Sequence, residues 1–275
     1  MYELLVLNNH WFFNPDEDKS RFKGLFQLLN KSYDKARFKF GIIKSTRIKK
    51  PESALADLSI TPDRDVFLTI LLGPEDSFSK LKQRDDYERN FSVPSMSLSD
   101  SFDCDIPNEY LSHFPIDDIE KDLKVTVASP DTNIESILGR ALGTVGVRSI
   151  PDTSDKSIKH LELTAFTSLR RNLGPNLLDV LINSCLLNDD MFSRLLNDRL
   201  DQFSTIRLHL DCIREHGLVE YYSSTCKFIR ADQEDVRIQI NENNRTIGGP
   251  LEEGIIATQD FHIAFMHRDV AVTKQ

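Results

Sequence analysis

The sequence predicts an α+β protein built from two packed α/β sandwich units, arranged like a tandem pair of ferredoxin-like folds, with a helical insertion in the second unit. Three observations predict this class. The chain has 275 residues, enough for two units of about 110 to 150 residues each. Apolar residues at 40% and charged residues at 28% are ordinary for a folded protein. The order strand, helix, strand recurs on both sides of a proline-containing segment.

The first unit is predicted to span residues 1–92. Apolar runs and alternating apolar residues mark its strands, and apolar residues spaced three and four apart mark its helices. In order, the elements are a strand at 2–7, a helix at 19–33, strands at 37–43 and 65–72, and a helix at 77–90.

An acidic connection is predicted at residues 93–121, where prolines interrupt every regular pattern. Residues 99–122 contain eight acids against Lys121, a formal charge of -7. Disordered acidic segments are poor in aromatic residues, whereas this one contains Phe102, Tyr110 and Phe114. We therefore expect an ordered connection that packs on the first unit.

The second unit is predicted to span residues 122–275. Its predicted strands are 123–127, 158–166, 218–223, 227–231, 236–240 and one within 254–265. Its predicted helices are 134–145, 174–187, one from Asp189 or Asp190 to Phe203, and 205–216. These helices form the helical insertion.

The spacing of the cysteines, the length of the apolar runs and the first residues of the chain indicate a cytoplasmic protein. The four cysteines are far apart, with no CxxC pair, which predicts neither a disulfide framework nor a metal site. No run of about 18 apolar residues occurs, and the first residues lack the basic and small-residue features of a secretory signal. The glycine pair Gly248 and Gly249 belongs to no dinucleotide or phosphate-binding motif, so no cofactor is predicted.

Residues 19–50 form a basic segment with eleven lysines and arginines against one acid, Asp34, a formal charge of +10 in a chain of net charge -9. A segment with this positive charge favours binding of an anionic partner. The residues predicted to bind a nucleic acid or another anion are Lys19, Lys23, Arg37, Lys39, Lys44, Arg47, Lys49 and Lys50. The competing interpretation is a solvated surface or an edge strand guarded by lysines.

The first functional hypothesis is a non-catalytic binding component of a bacterial or viral macromolecular assembly, for example in antiviral defence. Its partner would be an acidic protein surface or a nucleic acid, with no membrane involved. A variant of this hypothesis is a self-assembling structural protein, in which the basic segment of one copy meets the acidic connection of another to form a homo-oligomer.

The second hypothesis is a metal-dependent nuclease or phosphodiesterase. His160 and Glu162 lie on one face of a predicted strand and are the catalytic candidates. A metal would need a further ligand, and the nameable ones are His10, Asp16, Asp18, His262 and His267. A surface pair is the simpler interpretation, and no metal is predicted.

Two further patterns have simple alternatives. His209 and Asp211 resemble the first pair, but the predicted helix turns their side chains apart, so they are set aside. Arg170 and Arg171 precede a helix that begins at Gly174, where they would either bind an anion or solvate the loop.

Overall fold

One mixed sheet organises the part of the chain that the computed structural model describes, which is residues 1–14, 22–82, 89, 91, 104–117, 119–151, 154–248 and 255–273. Its strands are β1 (Tyr2–Asn8), β2 (Val66–Leu72), β3 (Leu123–Val127), β4 (Ala141–Ser149), β5 (Ile158–Ser168), β6 (Thr205–Ile213), β7 (Ile229–Arg230), β8 (Val236–Ile240), β9 (Thr246–Ile247) and β10 (Phe261–Ala271). Its α-helices are α1 (Asn9–Phe12), α2 (Phe22–Phe40), α3 (Ala54–Asp57), α4 (Glu75–Lys82), α5 (Gly174–Leu181), α6 (Asp189–Leu196) and α7 (Leu218–Cys226).

The strand order is β3-β1-β2-β4-β5-β6-β10-β8-β9, with β7 also paired to β10. The β1–β3 and β5–β6 pairs are parallel, and the other ladders between described strands are antiparallel. The α+β class is confirmed. The arrangement as tandem ferredoxin-like sandwiches is not supported, because β3 and β4 from beyond the connection pair directly with β1 and β2. The boundaries 1–92, 93–121 and 122–275 stay a prediction.

Helices cover both faces of the sheet. On one face, α5, α6 and α7 bury a large cluster that includes Leu161 and Leu208. On the other face, α2 buries a second cluster that includes Leu7 and Leu28. All seven residues of β2 are buried, as a central strand covered on both faces requires. Each fully buried leucine contributes roughly 1.5 to 3 kcal/mol to the transfer free energy of folding.

Several predicted elements are confirmed. The strands predicted at 2–7, 65–72, 123–127, 158–166 and 236–240 match β1, β2, β3, β5 and β8. The helix predicted at 174–187 is α5 followed by a π-helical turn at 182–186, and α6 begins at Asp189 with Asn188 as its N-cap.

The strand predicted at 37–43 is wrong, because α2 continues through Phe40. The helix ends at Gly41, which has a φ of +68°, and the Gly41 N–H donates to the carbonyl of Arg37 over 3.0 Å. A glycine in this left-handed conformation is a common helix stop. The alternation of Arg37, Phe38, Lys39 and Phe40 is therefore the last turn of a long helix.

Three further elements are corrected. The segment 205–213 is β6 and not a helix, because Ile206, Leu208 and Leu210 alternate with polar residues and face one cluster. The segment 218–226 is α7 and not a strand. The helix predicted at 134–145 is replaced by a short 3₁₀ turn and by β4, which starts at Ala141 and is buried on both faces.

Candidate active site

The parallel strands β5 and β6 separate halfway along their length. Their ladder runs from Ile158 opposite Thr205 to Glu162 opposite His209 and then stops. Both strands continue, to Ser168 in β5 and Ile213 in β6. In open α/β sheets, ligands bind in crevices at the carboxyl ends of parallel strands. The opening between these two carboxyl-terminal halves is therefore the candidate ligand site.

A bulge in β5 lies beyond this point of separation. Ala165 has a φ of +49°, and the register with β4 shifts between Thr144 and Gly146. The hydroxyl of Thr144 donates to the carbonyl of Ala165 over 2.6 Å and fixes the irregular turn. A bulge bends and twists its strand, so the direction of β5 changes in the half that has left β6.

A row of titratable side chains crosses the sheet beside the opening, on the face opposite α5. His160 and Glu162 in β5 alternate with the leucines that face α5, and so do His209 and Asp211 in β6. The Nδ1 atom of His160 lies 2.9 Å from the Nε2 atom of His209. The ring of His267 in β10 is centred 6.4 Å from that of His209.

The environment moves the pKa values in this row in opposite directions. Burial, together with the neighbouring His160 and His267, lowers the pKa of His209 to about 4. Burial and the Glu162 carboxylate raise the pKa of Asp211 to about 6. Asp211 is nevertheless an exposed residue of β6 by its accessible surface. The row therefore offers a neutral imidazole pair and an accessible carboxylate that titrates close to neutrality.

The loop from β5 to α5 is fixed in shape by Arg170. This arginine is buried, and its Nε donates to the carbonyl of Phe114 over 3.1 Å. Asn172 has a φ of +61°, and α5 then begins at Gly174 with Pro175 in its first turn. The acidic connection thus packs on this loop, which belongs to the second predicted unit.

Several backbone N–H groups at the end of this loop and in the first turn of α5 form no hydrogen bond with a described residue. Among the hydrogen bonds between described residues, none uses the backbone N–H of Asn172, Gly174 or Asn176. Arg171 is exposed beside them. Free N–H groups at a helix N-terminus, preceded by a left-handed residue, favour an anion. Of the two interpretations of Arg170 and Arg171, the structure makes Arg170 a structural residue and leaves Arg171 at the surface.

Aromatic residues of α7 stand against this loop. A Cβ atom placed on Gly174 would lie 2.2 Å from the hydroxyl oxygen of Tyr221. The rings of Tyr222 and Phe166 stack with their centres 6.0 Å apart. The helices that follow β5 and β6 therefore meet at the opening between the two strands.

The residues of the basic segment do not gather into one surface. Lys19 lies outside the described residues, and Lys31 is buried. Lys23 and Lys39 lie near opposite ends of α2, about 24 Å apart along a helix that rises 1.5 Å per residue.

Internal contacts occupy other members of this segment. Arg37 pairs with Asp34 at 2.6 Å, the Nη1 atom of Arg47 donates to the carbonyl of Asp57 over 2.5 Å, and the Nζ atom of Lys49 lies 4.0 Å from Asp57. Lys44 and Lys50 lie exposed in the loop after α2. The segment is thus divided between internal contacts and separate parts of the surface.

Comparison with known proteins gives a family. A family model described as Sporulation protein RMD6 matches residues 1–270 of the chain. The chain belongs to this family. No curated protein matches it.

Several solved structures are distantly similar to this member of the RMD6 family. A mutant of spermidine N-acetyltransferase SpeG from Vibrio cholerae is 10% identical, with a TM-score of 0.34, over 96% of this chain and 92% of that one. The spermidine N-acetyltransferase of the same organism in complex with CoA and spermine gives 10%, 0.34, 96% and 94%. An acetyltransferase of the GNAT family from Streptococcus pneumoniae gives 14%, 0.21, 48% and 62%. TM-scores this low do not establish a shared fold or function.

The hypothesis of a non-catalytic binding component with a basic patch is wrong, and so are the expectations of nucleic-acid binding, protein binding and antiviral defence. The cations on which it depended are dispersed or paired internally.

The alternative of a metal-dependent nuclease gains no support from the predicted ligands. His262 is hydrogen-bonded to Glu215 at 2.7 Å, and Asp16 and Asp18 lie outside the described residues. In the part of the chain that the structure describes, no three His, Cys, Asp or Glu residues are grouped so that they could hold a metal ion. A search of the same residues finds no helix both long and apolar enough to span a membrane.

The sequence interpretation placed His160 and Glu162 on one face of a strand but missed their neighbours. The sequence predicts a helix at 205–216, on which the side chains of His209 and Asp211 would point apart. In β6 they share a face and lie beside the first pair. The strict alternation of apolar and polar residues from Ile206 to Cys212 was the signal that could have found them.

Proposed function

We propose that this protein is an acyltransferase, which moves an acetyl group from a coenzyme A thioester to an amine. One observation carries the proposal: the parallel strands β5 and β6 open toward their carboxyl ends, with Asp211 at the base of the opening. A narrow ligand with amide groups fits between two separated strands, because their backbone groups are free to pair with it.

The N-terminus of α5 supports the choice of a donor that carries phosphate. In the loop that leads from β5 into α5, Arg171 is exposed, and the N–H groups of Gly174 and Asn176 have no acceptor among the described residues. Helix N-termini bind phosphate through such groups. A pyrophosphate bound there would direct the rest of the donor along the opening toward Asp211.

Asp211 supports the chemistry. In this reaction an ammonium acceptor first loses a proton to Asp211, and the freed nitrogen lone pair attacks the thioester carbonyl carbon. The carbon–sulfur bond then breaks, the thiolate leaves with the bonding electrons, and it takes up the second proton that the acceptor nitrogen loses as the amide forms. A general base works best when its pKa lies near the operating pH, and the pKa of Asp211 is raised to about 6.

The proposal is tested first by the binding of CoA and then by the transfer of the acetyl group. Binding of CoA is measured by calorimetry, and acetyl transfer from acetyl-CoA is measured as thiol release, with spermine as the first amine because it is bound in one of the similar structures. We expect Asp211→Asn to lower the transfer rate about 10²- to 10⁴-fold. We expect Arg171→Glu to weaken CoA binding about tenfold or more.

Arg194→Glu provides a matched control, because Arg194 lies exposed on α6, away from the loop before α5. It should bind CoA as the unmodified protein does. Absence of CoA binding at millimolar concentration would refute the proposal. Equal CoA binding by the Arg171 and Arg194 variants would remove the loop before α5 from the donor site.

A further inference from the structure

Two carboxylates stand side by side where β5 and β6 separate. Glu162 is opposite His209 in the last paired step of the ladder, and Asp211 follows His209 by two residues on the same face. Glu162 and Asp211 are therefore diagonal neighbours across the two strands. A charge on one carboxylate disfavours ionisation of its neighbour, so a proton taken up here resides mainly on the carboxylate with the weaker partners.

The partners of the two carboxylates differ. Arg148 in β4 is only 9% exposed, and its Nη1 atom donates to the carbonyls of Leu58 at 2.8 Å and Ser59 at 3.2 Å. Its Nη2 atom donates to Glu162. Such a buried guanidinium remains charged and needs an anion beside it. Glu162 is that anion.

Asp211 lacks a partner of this kind. No hydrogen bond or ion pair joins its carboxylate to another residue in the described ranges. The residue directly opposite it on β10 is Phe265, which is apolar. A proton added to this pair would therefore cost less on Asp211 than on Glu162, where it would leave Arg148 without its counter-ion.

We propose that Arg148 and Glu162 are positioning residues that assign the proton of the carboxylate pair to Asp211. The role of Asp211 as the base of acetyl transfer rests on the proposed function. The assignment of the proton rests only on the contacts of Arg148, Glu162 and Asp211. Arg148 holds Glu162 as an anion, and the negative charge of Glu162 adds to the effect of burial in raising the pKa of Asp211.

The other charged groups around the pair do not reverse this assignment. The charges that act on the pKa of Asp211 are Glu162, which raises it, and Arg148, which lowers it. On β6 and β10, Arg207 and Asp269 pair with each other at 2.6 Å, and the imidazoles of His160, His209 and His267 lie in the same row. On α2, which packs over this face, Asp34 and Arg37 are paired with each other.

The experiment follows the carboxyl carbon of Asp211 by NMR through a pH titration, in the unmodified protein and in Glu162→Gln. We expect a midpoint of about 6 in the unmodified protein and a lower midpoint in the variant, which burial still holds above the ordinary value of 3.8. Glu135→Gln is the matched control, because Glu135 is exposed, lies outside the strands and is not among the charges that act on Asp211, and it should leave the midpoint unchanged. An unchanged midpoint in Glu162→Gln would overturn the proposal.

Arg148→Met tests the other half of the assignment. Without its counter-ion, Glu162 should share the proton, so a second carboxyl carbon should titrate above its ordinary range. If this variant does not fold, Arg148→Lys keeps a positive charge but not the fork that contacts Leu58, Ser59 and Glu162 together, and it should show a smaller change in the same direction. Unchanged titration of Glu162 in a folded Arg148 variant would refute the role of Arg148.

The titration separates this inference from the proposed function. If Glu162→Gln lowers the midpoint in a protein that transfers no acetyl group, the assignment stands and the proposed function fails. If acetyl transfer occurs but Glu162→Gln changes neither the titration midpoint of Asp211 nor the pH at which the transfer rate falls in acid, the assignment fails and the proposed function stands.

Discussion

The Nδ1 atom of His160 lies 2.9 Å from the Nε2 atom of His209, across the parallel strands β5 and β6. At this distance one hydrogen is shared between the two ring nitrogens, so one of the two must lack a proton. Burial lowers the pKa of His160, and it lowers that of His209 to about 4. The pair is therefore held in its neutral form at neutral pH.

This histidine pair makes the folded protein sensitive to acid. The pKa of His209 is lower in the folded chain than its ordinary value of 6.5, so between these two values the unfolded chain binds more protons. The contribution of His209 to the free energy of unfolding is fully present above pH 6.5 and is lost as the pH falls toward 4. Asp211 works in the opposite sense, because its raised pKa favours the folded state as the pH falls through 6.

We expect His209→Gln to lose less stability on acidification than the unmodified protein. The measurement is the thermal midpoint from neutral to mildly acidic pH, and the difference should reach about 2 to 4 °C, the shift that a change of about 1 kcal/mol produces in a protein of this size. His10→Gln, at an exposed position after β1, should follow the unmodified protein. Parallel curves for all three proteins would contradict the expectation.

Gly174 should tolerate no side chain while Tyr221 is present. The backbone of Gly174 does not need a positive φ, but an added Cβ would lie 2.2 Å from the Tyr221 hydroxyl oxygen. We expect Gly174→Ala to cost about 1 to 3 kcal/mol of unfolding free energy. In a double-mutant cycle by urea unfolding, Tyr221→Ala should relieve at least about 0.5 kcal/mol of that cost.

Gly139 is the control for this cycle, because a Cβ there would meet no atom within 4 Å. Gly139→Ala should therefore change the unfolding free energy little, with or without Tyr221. Additive effects of Gly174→Ala and Tyr221→Ala would show that the two residues are not in contact.

Asn172 should be replaceable by glycine but not by a β-branched residue. Its φ of +61° lies in the left-handed region, which costs most residues about 1 to 2 kcal/mol and glycine almost nothing. Asn172→Val should lose that amount of unfolding free energy, while Asn172→Gly should stay within about 0.5 kcal/mol of the unmodified protein. Asn243→Val, at an exposed position where φ is not positive, is the comparison. Equal losses for Asn172→Val and Asn243→Val would count against a left-handed Asn172.

The rate of acetyl transfer should fall in acid with a midpoint near pH 6. A general base must be ionised, and the pKa of Asp211 is raised to about 6. Below that value, kcat/KM should decrease about tenfold per pH unit, because the ionised fraction decreases by that factor. Initial rates of thiol release between pH 5 and 8 provide the measurement. A profile that stays flat through this range would exclude Asp211 as the base.

Strands and helices with one clear period could be predicted from the sequence, whereas segments that fit two periods could not. In β6, Ile206, Leu210 and Ile213 fit the spacing of a helix, whereas Leu208 and Cys212 fit only the alternation of a strand. In α2, the alternation from Arg37 to Phe40 continues a helix that stops at Gly41. Pairing partners that are distant in sequence settle such segments, and one sequence does not contain them.

The candidate site depended on these assignments. His160 and Glu162 could be placed on one face because β5 alternates cleanly. Asp211 could not be placed beside them, because the spacing predicts a helix where the structure has β6. Arg148 stands out in no local pattern, because its role comes from a ladder that brings β4 against β5.

The position of β1 affects how the nascent chain can fold. One edge of β1 pairs with β2, and the other pairs with residues 123–127, so its hydrogen bonding remains incomplete until the ribosome has released that later stretch. The outer edge of β2 likewise remains open until residues 141–149 have emerged. Open strand edges attract other chains, and pairings over such long sequence separations form slowly. The amino-terminal third of the nascent polypeptide is therefore the part most in need of protection from aggregation during synthesis.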